Sequence, residues 1–344
     1  MHTRTASSRR TALAALAGLA ALPLSGCARS APGSAPPAPS DTGTAGSALP
    51  GSGPSGPASA DALTRRAFAR LERKFDATLG VYAVDTGSGR TVVHRPDERF
   101  AYASTCKALL AGAILDRRSL RQLERLVRYG RDVLVSHSPI TEKHLGTGMT
   151  LRELCDAAVR YSDNAAANLL FRELGGPHGL QDALRGLGDR VTRCDRYEVA
   201  LSEGAPGDPR DTSTPRALAT DLRAYVLGDV LCPDKRAVLA DWLKRNTTGD
   251  RTIRAGAPDG WQIGDKTGSG GYGARNDIAI AWPPLGAPIA LAVLSRRDTE
   301  NAERRDALIA QAAEVAFGAL SPYVTGSGRQ TPLPSDSAAE TGAS

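Results

Sequence analysis

The sequence predicts an α+β fold: a five-stranded antiparallel sheet flanked by terminal helices, with an all-α lobe inserted between its strands. Three observations predict it. Strand patterns fall only near the two ends of the folded region, helical patterns fill the long stretch between them, and one more helical pattern lies outside the strands at each end.

In chain order, LTRRAFARLERKF is an amphipathic helix with Ala67, Phe68, Leu71 and Phe75 at helical spacing. TLGVYAVD and RTVVHR read as two strands joined across TGSG as a hairpin. KALLAGAIL, LRELCDAAVRYS, NAAANLLFREL and PRALATDLRAYVL are helical segments of the middle lobe. WQIGDKTG, ARNDIAIAW and PIALAVLS are three further strands, and DALIAQAAEVAFGAL is the closing helix. Antiparallel pairing lets strands from both chain ends share one sheet, and a groove between sheet and lobe is where a site belongs. No internal repeat is visible.

A chain of 344 residues suits one large domain or two intimate ones. Its net charge of +6 is misleading, because Arg4, Arg9, Arg10 and Arg29 lie at the N-terminus with no acid among them. The remainder carries 39 basic against 37 acidic residues and no basic stripe interleaved with aromatics, so no nucleic-acid partner is expected. The five histidines are scattered without an HxH or HExxH cluster, which argues against a metal site and a zinc-dependent reaction. No cofactor is expected.

Residues 1–27 read as a targeting segment: Arg9-Arg10 precede TALAALAGLAALPL, a signal-type apolar region too short to span a bilayer. The arginine pair fits twin-arginine export or ordinary leader charge. Leu24-Ser25-Gly26-Cys27 has the form of a bacterial lipobox, whose cysteine becomes a lipidated mature N-terminus; the alternative is a chance cysteine ahead of an ordinary cleavage site. Residues 28–60 are almost wholly Ala, Pro, Ser, Gly and Thr, a composition that buries nothing and makes a disordered tether. The catalytic domain is then 61–324, and 325–344 is a second disordered tail. An exported monomer, secreted or lipid-anchored at the outer face of the membrane, is the expectation.

The stretch Ser104-Thr105-Cys106-Lys107 heads the apolar run of the first lobe helix. One helical turn puts Ser104 and Lys107 on the same face, so a base can reach the hydroxyl and helix-start N–H groups can stabilise an oxyanion. Alone, a serine cap with an exposed lysine is the better reading. Ser162-Asp163-Asn164 sits between two helical patterns, where polar side chains can point into a groove or simply cap a helix. Lys266-Thr267-Gly268-Ser269-Gly270 lies on or beside a strand; lysine, hydroxyls and close-approach glycines suit a carboxylate ligand, and equally a solvated strand edge. Glu198 lies in RCDRYEVALSEGAPGDPRDTSTP, where an exposed carboxylate is the ordinary outcome.

In that order, Ser-x-x-Lys, Ser-Asp-Asn and Lys-Thr-Gly are the motif set of class A β-lactamases and penicillin-binding proteins. From about residue 61 to 322 the chain resembles a class A serine β-lactamase of the actinobacterial type. Arg196-Tyr197-Glu198 through Asp211-Thr212 resembles that family's Ω loop, with Arg196 and Asp211 as the pair tying its ends. The resemblance implies the β-lactamase/DD-peptidase-like fold and hydrolysis of a small-molecule β-lactam through an acyl-enzyme. It implies Ser104 as nucleophile, an oxyanion hole from the N–H groups of Ser104 and Ser269, and Lys107 hydrogen-bonded to Ser104 and the acid/base groups. Ser162 would relay a proton to the lactam nitrogen. Glu198 would activate the deacylating water, while the acylation base is Lys107 or Glu198. Asn164 would donate to the substrate amide, with Lys266, Thr267, Gly268, Ser269 and Arg275 about the substrate carboxylate. Asn168 would support the loop from beneath, and the Glu198–Val199 peptide would be cis.

Four positions depart from the family pattern. Ser202 replaces a usual asparagine beside the deacylating water, Cys106 a phenylalanine, and His137 a tyrosine at the groove mouth. Near Thr252 the family's alternative guanidinium is missing, which leaves that role to Arg275. Besides Cys27, Cys106, Cys155, Cys194 and Cys232 allow three pairings, and mostly free thiols are expected. Two alternatives share parts of the motif set: a penicillin-binding DD-peptidase, against which Glu198 in its full loop argues, and a β-lactam sensor that is acylated without hydrolysis, for which only Ser202 argues.

Overall fold

The computed structural model describes residues 57–321, with side chains from residue 60 onward. The expected leader, Cys27, most of the linker and the tail lie outside the described residues. The first helix, α1 (Pro57–Phe75), starts four residues before the expected domain boundary, so Pro57–Ala60 belong to it rather than to a tether. Proline suits a helix start, where its missing N–H costs nothing.

After α1 come β1 (Thr78–Asp85) and β2 (Thr91–His94), then the short β3 (Phe100–Ala101), α2 (Cys106–Arg117), α3 (Leu120–Leu123), β4 (Leu126–Val127) and β5 (Met149–Thr150). The lobe continues through α4 (Leu151–Arg160), α5 (Asn164–Leu174) and α6 (Pro177–Gly186), with β6 (Thr212–Ser213) leading into α7 (Pro215–Val226) and α8 (Pro233–Lys244). The chain closes with β7 (Gln262–Ser269), β8 (Arg275–Trp282), β9 (Ile289–Arg296) and α9 (Asp306–Leu320).

Five strands form one antiparallel sheet in the order β2-β1-β9-β8-β7, so the hairpin and the C-terminal meander meet at the β1–β9 pair, as expected. The hairpin turn is closed by Asp85, whose carboxylate accepts from the Gly87 N–H at 2.9 Å and the Ser88 hydroxyl at 2.8 Å. Two ladders of two residues each, β3 with β6 and β4 with β5, were not legible because two residues carry no periodicity.

The strands read as continuous apolar runs because both faces of the sheet are covered. One face, with Val81, Ala279 and Leu291, packs on Phe68 and Leu71 of α1 and on Leu308, Ala312 and Phe317 of α9. The other, with Ile278, Ile280 and Ala292, continues into the lobe through α2 and α7. Ten of the twelve residues of α2 are buried, which makes it the central helix of the lobe. Its lysine is therefore taken inside with it, and α2 delivers Ser104 to the seam between lobe and sheet.

Candidate active site

Ser104 sits in the 3-10 turn Ala103–Thr105 ahead of α2, and the preceding Ala103 has φ +48°. A left-handed alanine costs on the order of 1 kcal/mol, a strain that concentrates at functional sites. Strand β7 runs beside this turn. A Cβ on Gly268 would fall 2.7 Å from the Tyr102 carbonyl and 3.1 Å from the Thr105 nitrogen, so only glycine lets the strand approach this closely. β7 is an edge strand, and the Gly270 N–H donates inward to Ala274 of the β8 side. N–H groups alternate along a strand, so that of Ser269 faces outward, towards Ser104.

Lys107 is wholly buried, and its ammonium lies 3.0 Å from Glu198 Oε1 and donates to the Ser162 carbonyl at 2.8 Å and to Asn164 Oδ1. Ser162 Oγ lies 3.4 Å from the same nitrogen. The expected Ser104–Lys107 hydrogen bond is not formed. Ser104 Oγ donates instead to Glu198 Oε1 at 3.1 Å, because the buried ammonium is drawn to the carboxylate and the carbonyl oxygens across the seam.

Glu198 is fixed from three sides. Its backbone N–H donates to Asn168 Oδ1 and its carbonyl accepts from Asn168 Nδ2, both at 2.9 Å. Ser202 Oγ donates to Oε2 at 3.2 Å, so the shorter side chain at this position still reaches the carboxylate. The Glu198–Val199 peptide is cis. Arg196 Nε bonds Asp211 Oδ2 at 2.5 Å across the foot of the loop. Asp211 also accepts from the N–H groups of Asp195 and Arg196 and from the Tyr102 hydroxyl.

Asp163 caps α5 by accepting from the Ala166 N–H at 2.9 Å and also holds the 140–141 loop through the Ile140 and Thr141 N–H groups. The capping reading of this motif is thus correct for its middle residue. Its neighbours do the other job: Ser162, at φ +57°, and Asn164 both line the groove.

The groove measures about 480 Å³ and is bounded by Ser104, Ser162, Asn164, Glu198, Ser202, Thr267, Gly268, Ser269 and Arg275, among others. His137, φ +61°, stands at its mouth. Lys266 corrects the expectation that it faces the substrate. It lies deeper along β7, has no exposed surface, and donates to the Thr267 carbonyl at 2.8 Å. Burial, together with repulsion from the Lys107 ammonium, pulls its pKa down to about 7. Arg275 is not a free guanidinium either: Nε bonds Asp306 at 2.6 Å and Nη1 donates to Ser269 Oγ at 2.9 Å.

Three lining residues were missed: Ser136, whose carbonyl accepts from Asn164 Nδ2 at 2.7 Å, Thr248 and Arg304. Thr248 meets Thr267 hydroxyl to hydroxyl at 2.5 Å and donates to Asn246 Oδ1 at 2.9 Å, and Asn246 is anchored on buried Asp265. Arg304 enters from the loop before α9. All three come from polar turn sequence that reads as loop, and no motif flags them. Cys106 packs as a small buried hydrophobe, and the four described cysteines are free.

The beta-lactamase enzyme family model matches residues 63–320. A beta-lactamase of Amycolatopsis lactamdurans is 60% identical over 260 residues, covering 76% of this chain and 86% of the relative. Beta-lactamase 1 of Streptomyces cacaoi is 48% identical over 327 residues, covering 91% and 98%. Among solved structures, the class A beta-lactamase from Clostridium kluyveri DSM 555 is similar with a TM-score of 0.74 and 51% identity, covering 75% of this chain and 98% of that one.

Proposed function

The chain belongs to the beta-lactamase enzyme family and is a class A serine β-lactamase that hydrolyses β-lactams, an antibiotic-resistance activity, and on that premise we propose the following division of labour among its residues. The observation that carries it is the pair of contacts at one oxygen: Ser104 Oγ at 3.1 Å and Lys107 Nζ at 3.0 Å, both on Glu198 Oε1, at the floor of the groove.

Glu198 takes the Ser104 proton as Oγ attacks the lactam carbonyl carbon, a direct transfer that the contact supports over one through Lys107. The buried Lys107 ammonium stabilises the negative charge as it builds. The tetrahedral oxyanion is met by the N–H groups of Ser104 and Ser269, the latter on the outward edge of β7. When the C–N bond breaks, Ser162 passes its proton to the departing nitrogen and is reprotonated by Lys107, which takes the proton held on Glu198, so that Glu198 returns to carboxylate. Water then attacks the Ser104 ester, giving its proton to Glu198, which Asn168 and Ser202 hold in place; as the ester C–O bond breaks Glu198 returns that proton to Ser104 Oγ, and the substituted β-amino acid leaves.

Thr267, Gly268, Ser269 and Arg275 receive the ring carboxylate, with Lys266 contributing its charge from behind the strand. Asn164 serves the substrate amide. Arg196 and Asp211 hold the Ω loop closed. No helix among the described residues is long and apolar enough to cross a membrane. Export through the 1–27 leader, tethering through a lipidated Cys27, and a monomeric catalytic unit complete the proposal. Cys27→Ala should move the protein from the membrane fraction to the medium.

The test is intact mass against time with excess benzylpenicillin, product being followed in parallel. A fleeting adduct with many equivalents of product supports this reading. A stoichiometric, lasting adduct would mean that Ser202 cannot serve deacylation. Ser104→Ala should abolish turnover, and retained hydrolysis would overturn the nucleophile assignment.

A further inference from the structure

The geometry points to Arg304 as a specificity-determining residue: it receives a second carboxylate, carried on the acylamino side chain of dianionic β-lactams. The inference rests on the orientation proposed above, in which the ring carboxylate lies by Ser269 and Arg275.

A charge inventory of the groove leads to it. Lys107 is matched by Glu198 at 3.0 Å, Lys266 is sealed behind β7, and Arg275 is matched by Asp306 at 2.6 Å. Arg304 is exposed and lines the same groove, yet it pairs with no acid among the described residues. Its sequence neighbourhood, Glu303-Arg304-Arg305-Asp306, holds two acids, and both are taken: Glu303 by Arg305 at 3.0 Å and Asp306 by Arg275. The nearby loop carboxylate Glu203 accepts from Arg196. Among the described residues Arg304 bonds only through Nε, to the Gly270 carbonyl at 3.4 Å, which leaves the forked terminal nitrogens for a ligand. A guanidinium so presented matches a carboxylate in bidentate geometry.

Position selects which carboxylate. Gly270 and Gly271 form the end of the groove where β7 meets the Ω loop, the Gly271 N–H donating to the Ser202 carbonyl at 2.9 Å. On a bicyclic β-lactam the ring carboxylate and the acylamino group project from opposite sides of the lactam. With the ring carboxylate at Ser269 and Arg275 and the amide served by Asn164, the acylamino side chain passes along β7 towards Gly270. An anion on that side chain then comes within reach of Arg304.

The experiment compares benzylpenicillin with α-carboxybenzylpenicillin, which differ by that one carboxylate, on the full chain and its Arg304→Gln and Arg304→Lys variants. Arg304→Gln should raise KM for the dianion about fivefold more than for the monoanion, the size expected of a part-exposed ion pair. Arg304→Lys should restore part of the difference. The difference should collapse at about 1 M salt, where the Debye length is about 3 Å. Equal changes in KM for the two substrates, or none, would overturn the assignment. Ser104→Ala should remove hydrolysis of both substrates. If it does not, the catalytic reading falls, and the KM ratio still decides the role of Arg304.

Discussion

At the residue scale the contacts of the groove floor converge on one carboxylate, because Glu198 offers one oxygen to Ser104 and Lys107 and the other to Ser202. Ser202→Ala removes the only side-chain donor on Oε2 among the described residues while leaving the Asn168 clamp on the backbone. A hydrogen bond to a charged group contributes about 1.5–3 kcal/mol, so turnover should fall about tenfold or more. Rapid-quench mass spectrometry should show acyl-enzyme accumulating as it does; unchanged kcat with no adduct would remove Ser202 from water positioning. Lys266 gives a pH prediction whose sign follows from burial. Its pKa is depressed to about 7, so the ammonium is present below that pH and lost above it. If its charge draws the ring carboxylate through the strand, KM for benzylpenicillin rises between about pH 6 and 8, while Lys266→Arg, charged throughout, flattens the profile. A wild-type KM flat over that window would separate Lys266 from carboxylate binding. The four motifs were legible because each needs particular side chains at short fixed spacing. Thr248 and Arg304 were not, since they come to the groove from chain segments distant from every motif and carry only turn-like sequence.

At the element scale the 196–211 loop depends on its foot rather than on regular structure. Asp211 is wholly buried and holds Arg196, two backbone N–H groups and the Tyr102 hydroxyl at once. Removing one partner of a buried pair costs about 3–5 kcal/mol, and Asp211→Ala should lower stability by about that much. Urea unfolding would measure it, with kcat falling in parallel as Glu198 loses its support. A loss below about 1 kcal/mol would mean that the loop is held elsewhere. Strand β7 has a sharper requirement. Gly268→Ala sets a methyl 2.7 Å from the Tyr102 carbonyl, so the strand must retreat from Ser104. Acylation should slow while the melting temperature shifts little, because an edge strand can move without unpairing the sheet. The sheet and long helices were legible, since runs of eight strand residues or ten and more helical ones average out local ambiguity. The start of α1 was not: Pro57-Ala58-Ser59-Ala60 has the composition of the segment before it, and only its continuation into the amphipathic face marks it as helix.

At the scale of the whole molecule the sheet is a shared floor for two cores, and the helices of the two chain ends close only one of them. Phe68 and Leu71 of α1 lie against Val81, Val293 and Phe317 on the face away from the groove. The catalytic seam belongs to the other core, around α2. This division predicts how truncation behaves. A fragment of residues 57–321 keeps both cores and every groove residue. It should therefore match the full chain in kcat/KM for benzylpenicillin, with a melting temperature within about 2 °C. A fragment beginning at Ala77 loses α1 although it loses no catalytic group. Truncating one buried Phe costs about 3–5 kcal/mol and one buried Leu about 2–5, so losing both with their helix removes a large share of the about 5–15 kcal/mol that holds a domain folded. That fragment should be unfolded or aggregated and inactive. Should the shorter fragment stay folded and active, α1 would be an ornament on the sheet rather than its cover; should the longer one lose activity, segments beyond 57–321 would be part of the catalytic unit.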